Sequence, residues 1–308
     1  MKKNILAVSL GMAMAASLLA GCGSSAEETT AAATEAAETE TEAETEAEAE
    51  ETEAEETEAE AAEDTEAAAE AGDEDAEAGG TLIVGFDQDF PPMGFIGDDG
   101  EYTGFDLELA QEVASRLGLE YKPQPIAWDA KDMELESGSI DCIWNGFTME
   151  GREDDYTWSD PYMDNSQVFV VRNDSGITSA ADLAGKVVEV QIDSSGQKAL
   201  EANEELTDTF AQLITTPDYN TAFMDLEQGT VDAICMDVIV AGYQIQEREA
   251  DMTILEDEVA SESYGIGFKK GNTELRDKVN DTLKEMAADG TLAEISNKWF
   301  GTDVTTIK

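Results

Sequence analysis

The sequence predicts an α/β chain of two similar lobes with parallel-rich sheets, set behind an acidic segment that has no means of forming a core. Three observations predict this. From Thr81 onward, short β-branched or apolar runs alternate with helical stretches, the pattern of parallel strands covered by helices. One motif occurs twice, as Leu135-Glu136-Ser137-Gly138-Ser139-Ile140-Asp141-Cys142-Ile143 and as Leu226-Glu227-Gln228-Gly229-Thr230-Val231-Asp232-Ala233-Ile234. Each copy reads as a helix end capped by glycine, a tight turn and a buried strand. Between Gly23 and Gly80 there is no aromatic residue, no Leu, Ile or Val and no Lys or Arg, so that stretch has nothing to bury.

The chain begins with Lys2 and Lys3 ahead of an apolar run from Ile5 to Ala20. This is the form of a secretory signal peptide, and the run is too short and too rich in Ala, Gly and Ser for a membrane-spanning helix of about 20 residues. Its end, Leu19-Ala20-Gly21-Cys22, resembles the lipobox of bacterial lipoproteins. The resemblance implies that residues 1–22 hold a lipoprotein signal, that Cys22 receives lipid and becomes the new N-terminus, and that the mature chain is tethered to the outer face of a membrane. Residues 23–80 are read as a disordered Ala/Glu/Thr linker. They carry 24 of the 71 acidic residues, spaced so that a helix would put like charges on adjacent turns. Fully stretched, such a spacer reaches on the order of 190 Å at about 3.3 Å per residue.

The whole chain has 17 Lys and Arg against 71 Asp and Glu, a formal charge of −54. This charge weighs against nucleic acid and anionic lipid surfaces as partners, since both are bound through basic side chains. Histidine is absent, which removes Ser/His and Cys/His nucleophilic pairs and histidine metal sites. No cysteine pair has metal-ligand spacing, and no cofactor is implied. Cys142 and Cys235 each lie in an apolar run and read as buried thiols; two cysteines do not settle whether they pair.

Within the folded part, Thr81–Phe86 reads as a buried strand and Phe105–Leu117 as an amphipathic helix stopped by Gly118. Further strands are expected over 140–144, 168–172, 186–191, 233–236 and 264–268. Helices are expected over 197–203, 219–228 and 274–288.

Gly104-Phe105-Asp106-Leu107-Glu108-Leu109, followed by Val113-Ala114, resembles the signature of the bacterial extracellular solute-binding proteins of family 3, which serve polar amino acid ABC transporters. The likeness continues through Trp158-Ser159-Asp160-Pro161-Tyr162, Asp182-Leu183-Ala184-Gly185-Lys186-Val187-Val188 and Tyr264-Gly265-Ile266-Gly267-Phe268. It ends on Asp289-Gly290-Thr291-Leu292 with Lys298-Trp299-Phe300-Gly301. It implies a periplasmic-binding-protein-like type II fold with two crossover strands, lobe one comprising 81–166 and 263–308 and lobe two 167–262. It further implies a monomer that closes on a polar L-amino acid and delivers it to the membrane permease of an ABC importer.

By the same resemblance, Arg152 grips the ligand carboxylate, as a bidentate guanidinium can, although the stretch from Thr148 to Arg152 is one residue shorter than the family pattern. Asp193-Ser194-Ser195-Gly196 leads into a helix, whose N-terminal amides with the Ser194 and Ser195 hydroxyls suit an anion. Asp237 would accept from the ligand ammonium, with the Thr148 hydroxyl and Gly146 carbonyl completing the shell in the segment that includes Phe147. Asp87, Phe90 and Trp128 would line the side-chain end. Each residue type also has an ordinary structural use: a surface ion pair of Arg152 with Glu150 or Glu153, helix N-caps for the serines and Asp237, core packing for Phe90. The alternatives in function are an enzyme on the same fold, a cyclohexadienyl-type dehydratase, and a structural surface lipoprotein with a vestigial cleft.

Because the acidic segment has no residues for a core, deleting 23–78 is expected to leave ligand affinity within about twofold, well under 1.4 kcal/mol. Titration calorimetry on the two forms measures this, and a tenfold loss would contradict the spacer reading.

Overall fold

The computed structural model describes residues 80–308. The signal peptide, Cys22 and all but the last residue of the acidic linker lie outside the described residues. In chain order the strands are β1 Thr81–Phe86, β2 Asp89–Phe90, β3 Gly94–Ile96, β4 Tyr102–Thr103, β5 Glu120–Pro125, β6 Cys142–Thr148, β7 Thr157–Trp158, β8 Met163–Arg172, β9 Val187–Gln191, β10 Gln212–Thr216, β11 Ala233–Asp237 and β12 Met252–Phe268. The helices are α1 Phe105–Leu117, α2 Lys131–Ser137, α3 Ser195–Ala202, α4 Glu204–Thr207, α5 Tyr219–Gln228, α6 Val238–Glu247, α7 Thr273–Asp289 and α8 Thr291–Phe300.

The main sheet runs β10-β9-β11-β8-β12-β6-β1-β5, with β7 on β12. Its outer thirds are parallel: β1 pairs with β5 and β6, and β9 with β10 and β11. The two central strands are antiparallel to each other and long, and each belongs to both lobes. β12 meets β6 through Tyr264–Phe268, while β8 meets β11 through Gln167–Val171. Between those stretches β8 and β12 pair only with one another, for example Ser166 with Ser261 and Asn165 with Glu262. The chain thus crosses twice between a first lobe around β1, β5 and β6 and a second around β9, β10 and β11.

The repeated motif does the same local work in each lobe. Gly138 and Gly229 end α2 and α5 in the left-handed region, at φ 77° and 74°, a conformation that carries no penalty only for glycine. Three residues on, Asp141 and Asp232 play one role. Asp141 Oδ2 accepts from Ile83 N of β1 at 2.7 Å, and Asp232 Oδ2 accepts from Val187 N of β9 at 2.9 Å. Each aspartate also returns its own N–H to the carbonyl of the same strand residue, at 2.8 and 2.9 Å. A carboxylate that satisfies an otherwise unpaired strand amide fixes where the next strand enters the sheet, and the sequence repeats it once per lobe.

The Gly104-Phe105-Asp106 motif has an equally local cause. Gly104 precedes α1 at φ 143°, where a Cβ would fall 2.3 Å from the Met93 carbonyl oxygen. That close approach sets α1 so that Asp106, wholly buried, reaches β6. Its Oδ2 accepts from Gly146 N at 2.6 Å and from the Tyr162 hydroxyl at 2.8 Å. Phe105, Leu109, Ala110 and Val113 bury the other side of α1 against the lobe-one core. Cys142 and Cys235 are free thiols buried in β6 and β11.

Burial raises the Asp106 carboxyl from its ordinary 3.8 to about 7, the hydrogen bonds from Gly146 and Tyr162 opposing the rise. The native state therefore keeps a proton that the unfolded chain loses near pH 4, and Asp106 withdraws stability as pH rises from about 4 through about 7, by at most ~1.4 kcal/mol per pH unit. Ligand-free protein should lose stability relative to Asp106→Asn across that interval, measured by urea unfolding at a series of pH values. A constant difference between the two forms would contradict the assignment.

Candidate functional site

A narrow cavity lies between the lobes beside the crossover strands. Lobe one contributes Asp87, Phe90, Trp128, Asn145, Gly146, Thr148 and Arg152; lobe two contributes Gln191, Ser194, Ser195 and Asp237. The positions follow from topology, because parallel strands deliver the loops after their C-terminal ends to the crevice between lobes. Asp87 and Phe90 follow β1, Arg152 follows β6, the serines follow β9, and Asp237 ends β11.

Arg152 is 2% exposed and Asp237 3%. Neither forms a salt bridge among the described residues. Arg152 Nη1 donates to the Thr148 carbonyl and Nη2 to the Asp193 carbonyl, both at 3.2 Å, while Nε has no partner. Of the five guanidinium N–H groups, three remain for a ligand. The surface alternative does not hold for this arginine, and Glu150 instead accepts from Ser263 N at 2.9 Å. The shorter stretch before Arg152 is absorbed by a turn, with Gly151 at φ 75° and Arg152 N bonded to Met149 O at 3.0 Å.

Asp237 precedes α6 without capping it through its side chain. Its Oδ1 accepts from the Tyr264 hydroxyl at 2.6 Å and from Asn165 Nδ2 at 2.7 Å. Burial raises its carboxyl above the usual range, and the donated hydrogen bonds pull it back. Thr148 Oγ1 is buried without a partner, and Gly146, at φ 56° and held through its N–H by Asp106, sits against Phe90 and Tyr264. Ser194 does cap α3, its Oγ accepting from Gln197 N at 3.1 Å, and Ser195 Oγ accepts from Gln167 Nε2 at 3.0 Å.

At the far end, Asp87 Oδ1 accepts from Asp89 N at 2.9 Å and Oδ2 from Gln191 Nε2 at 2.6 Å. Burial lifts its carboxyl to about 6, against those hydrogen bonds. The Phe90 ring lies 6.0 Å from that of Tyr219, and Trp128 stands edge-on to Phe147 at 5.5 Å.

Nine of the ten residues expected at the site surround this cavity. Phe147 is the correction. Thr148 faces the cavity, and one step back along the pleat Phe147 faces the other way, into a cluster with Trp128, Tyr156 and Trp158. It supports the Trp128 wall and does not line the cavity.

Asn145 and Gln191 also line the cavity and were not anticipated, although Asn145 adjoins Gly146 and Gln191 ends an expected strand. Lys131 is a further omission. It is 1% exposed, donates to the Trp128 carbonyl at 3.2 Å and the Asp193 carbonyl at 3.3 Å, and pairs with the Asp193 carboxylate of the opposite lobe. Burial lowers its ammonium from the ordinary value and Asp193 opposes the fall. A lysine on an acidic helix carries no sequence signal of such a role.

Residues 82–302 match the model of the family described as bacterial extracellular solute-binding proteins, family 3. The L-cystine-binding protein TcyJ of Escherichia coli K12 is 36% identical over 229 residues, covering 73% of this chain and 85% of that protein. The arginine-binding extracellular protein ArtP of Bacillus subtilis is 32% identical over 225 residues, covering 71% and 86%. Among solved structures, an ABC uptake transporter substrate-binding protein from Streptococcus pneumoniae with bound histidine superposes with a TM-score of 0.72 at 38% identity, covering 73% of this chain and 94% of that one. With the family model spanning both lobes and both crossovers, this chain belongs to the bacterial extracellular solute-binding proteins of family 3.

Proposed function

We propose that the chain is the substrate-binding component of an ABC importer, held at the extracytoplasmic face of the membrane by lipid on Cys22, and that as a monomer it closes lobes 81–166 with 263–308 and 167–262 around one polar L-amino acid. The observation that carries this reading is the pair Arg152 and Asp237. They are buried, of opposite charge, without ion-pair partners among the described residues, and set on opposite lobes around one cavity. An unpaired buried charge costs several kcal/mol, and a zwitterion between the two relieves both at once.

In this reading the ligand carboxylate takes the free N–H groups of Arg152 and the amides that open α3. The ammonium meets Asp237, Thr148 Oγ1 and the Gly146 carbonyl. The stem lies between Phe90 and Trp128, and the side chain ends near Asp87, whose negative end favours a hydrogen-bond donor or a cation. L-Arginine, L-histidine and L-cystine are the first candidates, since relatives carry those ligands in their names.

In a thermal-shift screen of the chain against the twenty amino acids and L-cystine, a ligand at a hundred times its dissociation constant adds about 2.7 kcal/mol of apparent stability. For the amino acid that stabilises most, Arg152→Ala and Asp237→Ala should each weaken binding by roughly a hundredfold, about 3 kcal/mol, by leaving a ligand charge unpaired. Unaltered affinity in both variants would move the ligand out of this cavity. Conversion of the bound compound to a new product would replace the binding reading with the dehydratase.

A further inference from the structure

Behind Asp237 stands a second buried carboxylate that the amino-acid reading does not use. Glu262 of β12 is 6% exposed. Asn165 Nδ2 bridges the two acids, donating to Asp237 Oδ1 at 2.7 Å and to Glu262 Oε1 at 2.5 Å. Gln167 Nε2 donates to the same Glu262 Oε1 at 2.9 Å. Oε1 thus takes both amide donors, and Oε2 takes none among the described residues.

The surroundings offer the pair little positive charge. From β12 comes the Tyr264 hydroxyl, already donated to Asp237. The Cys235 thiol of β11 and the Tyr219 hydroxyl of α5 are both held neutral by burial. On the outer side, a hollow lined by Glu262 also carries Glu150, Asp164 and Glu258. Among the described residues that line the cavity, the cation is Arg152, across from Asp237. Two carboxylates that share a donor in such a place do not both ionise without an added cation.

We propose that Asp237 and Glu262 form an acid pair that holds one proton in the empty cleft, on Glu262, and releases it when the ligand ammonium arrives at Asp237. The inference rests on the amino-acid reading above and extends it: Glu262 is a positioning residue of the ammonium site, and capture of the amino acid is coupled to loss of a proton. In the step, the Glu262 O–H bond breaks and the proton passes to solvent on the side of the acidic hollow. The pair gains one negative charge, and the ammonium, which stays protonated, balances it.

Burial, then the charge of Asp237, raises the Glu262 carboxyl from 4.5 to about 8. A bound ammonium favours the ionised form and lowers that value. Below about pH 8 the empty protein therefore binds more protons than the complex. Affinity rises with pH in that interval, by about tenfold per pH unit where a whole proton is released.

Glu262→Gln tests this, because a glutamine keeps an oxygen for Asn165 and Gln167 and places an NH₂ where the protonated oxygen stood. The chain is titrated by calorimetry with L-arginine, and with L-cystine, in buffers of differing ionisation heat at about pH 7; L-histidine is avoided because its own imidazole titrates there. Wild type should release between roughly 0.5 and 1 proton per amino acid bound, and Glu262→Gln about none. Between about pH 6 and about pH 8 the affinity of wild type should climb at least about tenfold, while that of the variant stays within about twofold. A second readout needs no ligand: the infrared difference between empty wild type and Glu262→Gln should contain a protonated-carboxyl band from Glu262. Binding without proton release, or absence of that band, would overturn the proposal and leave the amino-acid reading intact. No binding of either amino acid, with the screen equally empty, would overturn that reading and the proposal with it.

Discussion

A zwitterion cannot be enclosed by protein unless each of its charges meets a partner as the water leaves. The site is arranged around that requirement. Arg152 stands after β6 in the first lobe and Asp237 ends β11 in the second, so in the proposed reading neither lobe alone satisfies a ligand. The contacts that join the lobes around the cavity include polar ones, Asp87 with Gln191, Asp89 with Asn220, and Asp193 with both Lys131 and Arg152, beside the ring pair of Phe90 and Tyr219. Polar pairs of this kind trade against water at little net gain. In the proposed reading, a ligand that pairs Arg152 with Asp237 favours the closed state by its differential contacts with the two lobes.

In the proposed reading, closure needs two rigid lobes and a compliant connection. Rigidity comes from the repeated turn, in which Asp141 and Asp232 each lock a strand of their lobe, and from cores under α1 and α5. The connection is the stretch where β8 and β12 pair only with each other. Asp237 is hydrogen-bonded to residues of these same two strands, Asn165 and Tyr264. In the proposed reading the ligand ammonium is therefore met beside the two crossover strands.

Much of this was legible in the residues. Strand β1 and helices α1 and α5 fall where their periodicity puts them, because one apolar face decides each. The doubled motif was legible as a repeat because in each copy the glycine that closes a helix is followed three residues later by an aspartate that holds a strand amide. What escaped was what depends on distant neighbours. Strand β5 holds Pro123 and Pro125 and is tolerated because it is an edge strand paired only with β1. The first half of β12 carries Glu256, Asp257 and Glu258, where no strand was expected; it pairs with β8 on both sides of a register shift between Ile254 and Glu258. Phe147 was misplaced by one step of the pleat. Lys131 and Glu262 are buried only because other elements close over them, and no local pattern announces that.

The central claim is that the cleft recognises an amino acid by both α-charges together. Equilibrium dialysis with the best-bound amino acid and its decarboxylated amine, for instance L-arginine against agmatine or L-histidine against histamine, tests it most directly. The side chain and ammonium are unchanged, so only the partner of Arg152 is lost, and affinity should drop by about a hundredfold or more. An amine that binds as tightly as its parent amino acid would contradict the claim.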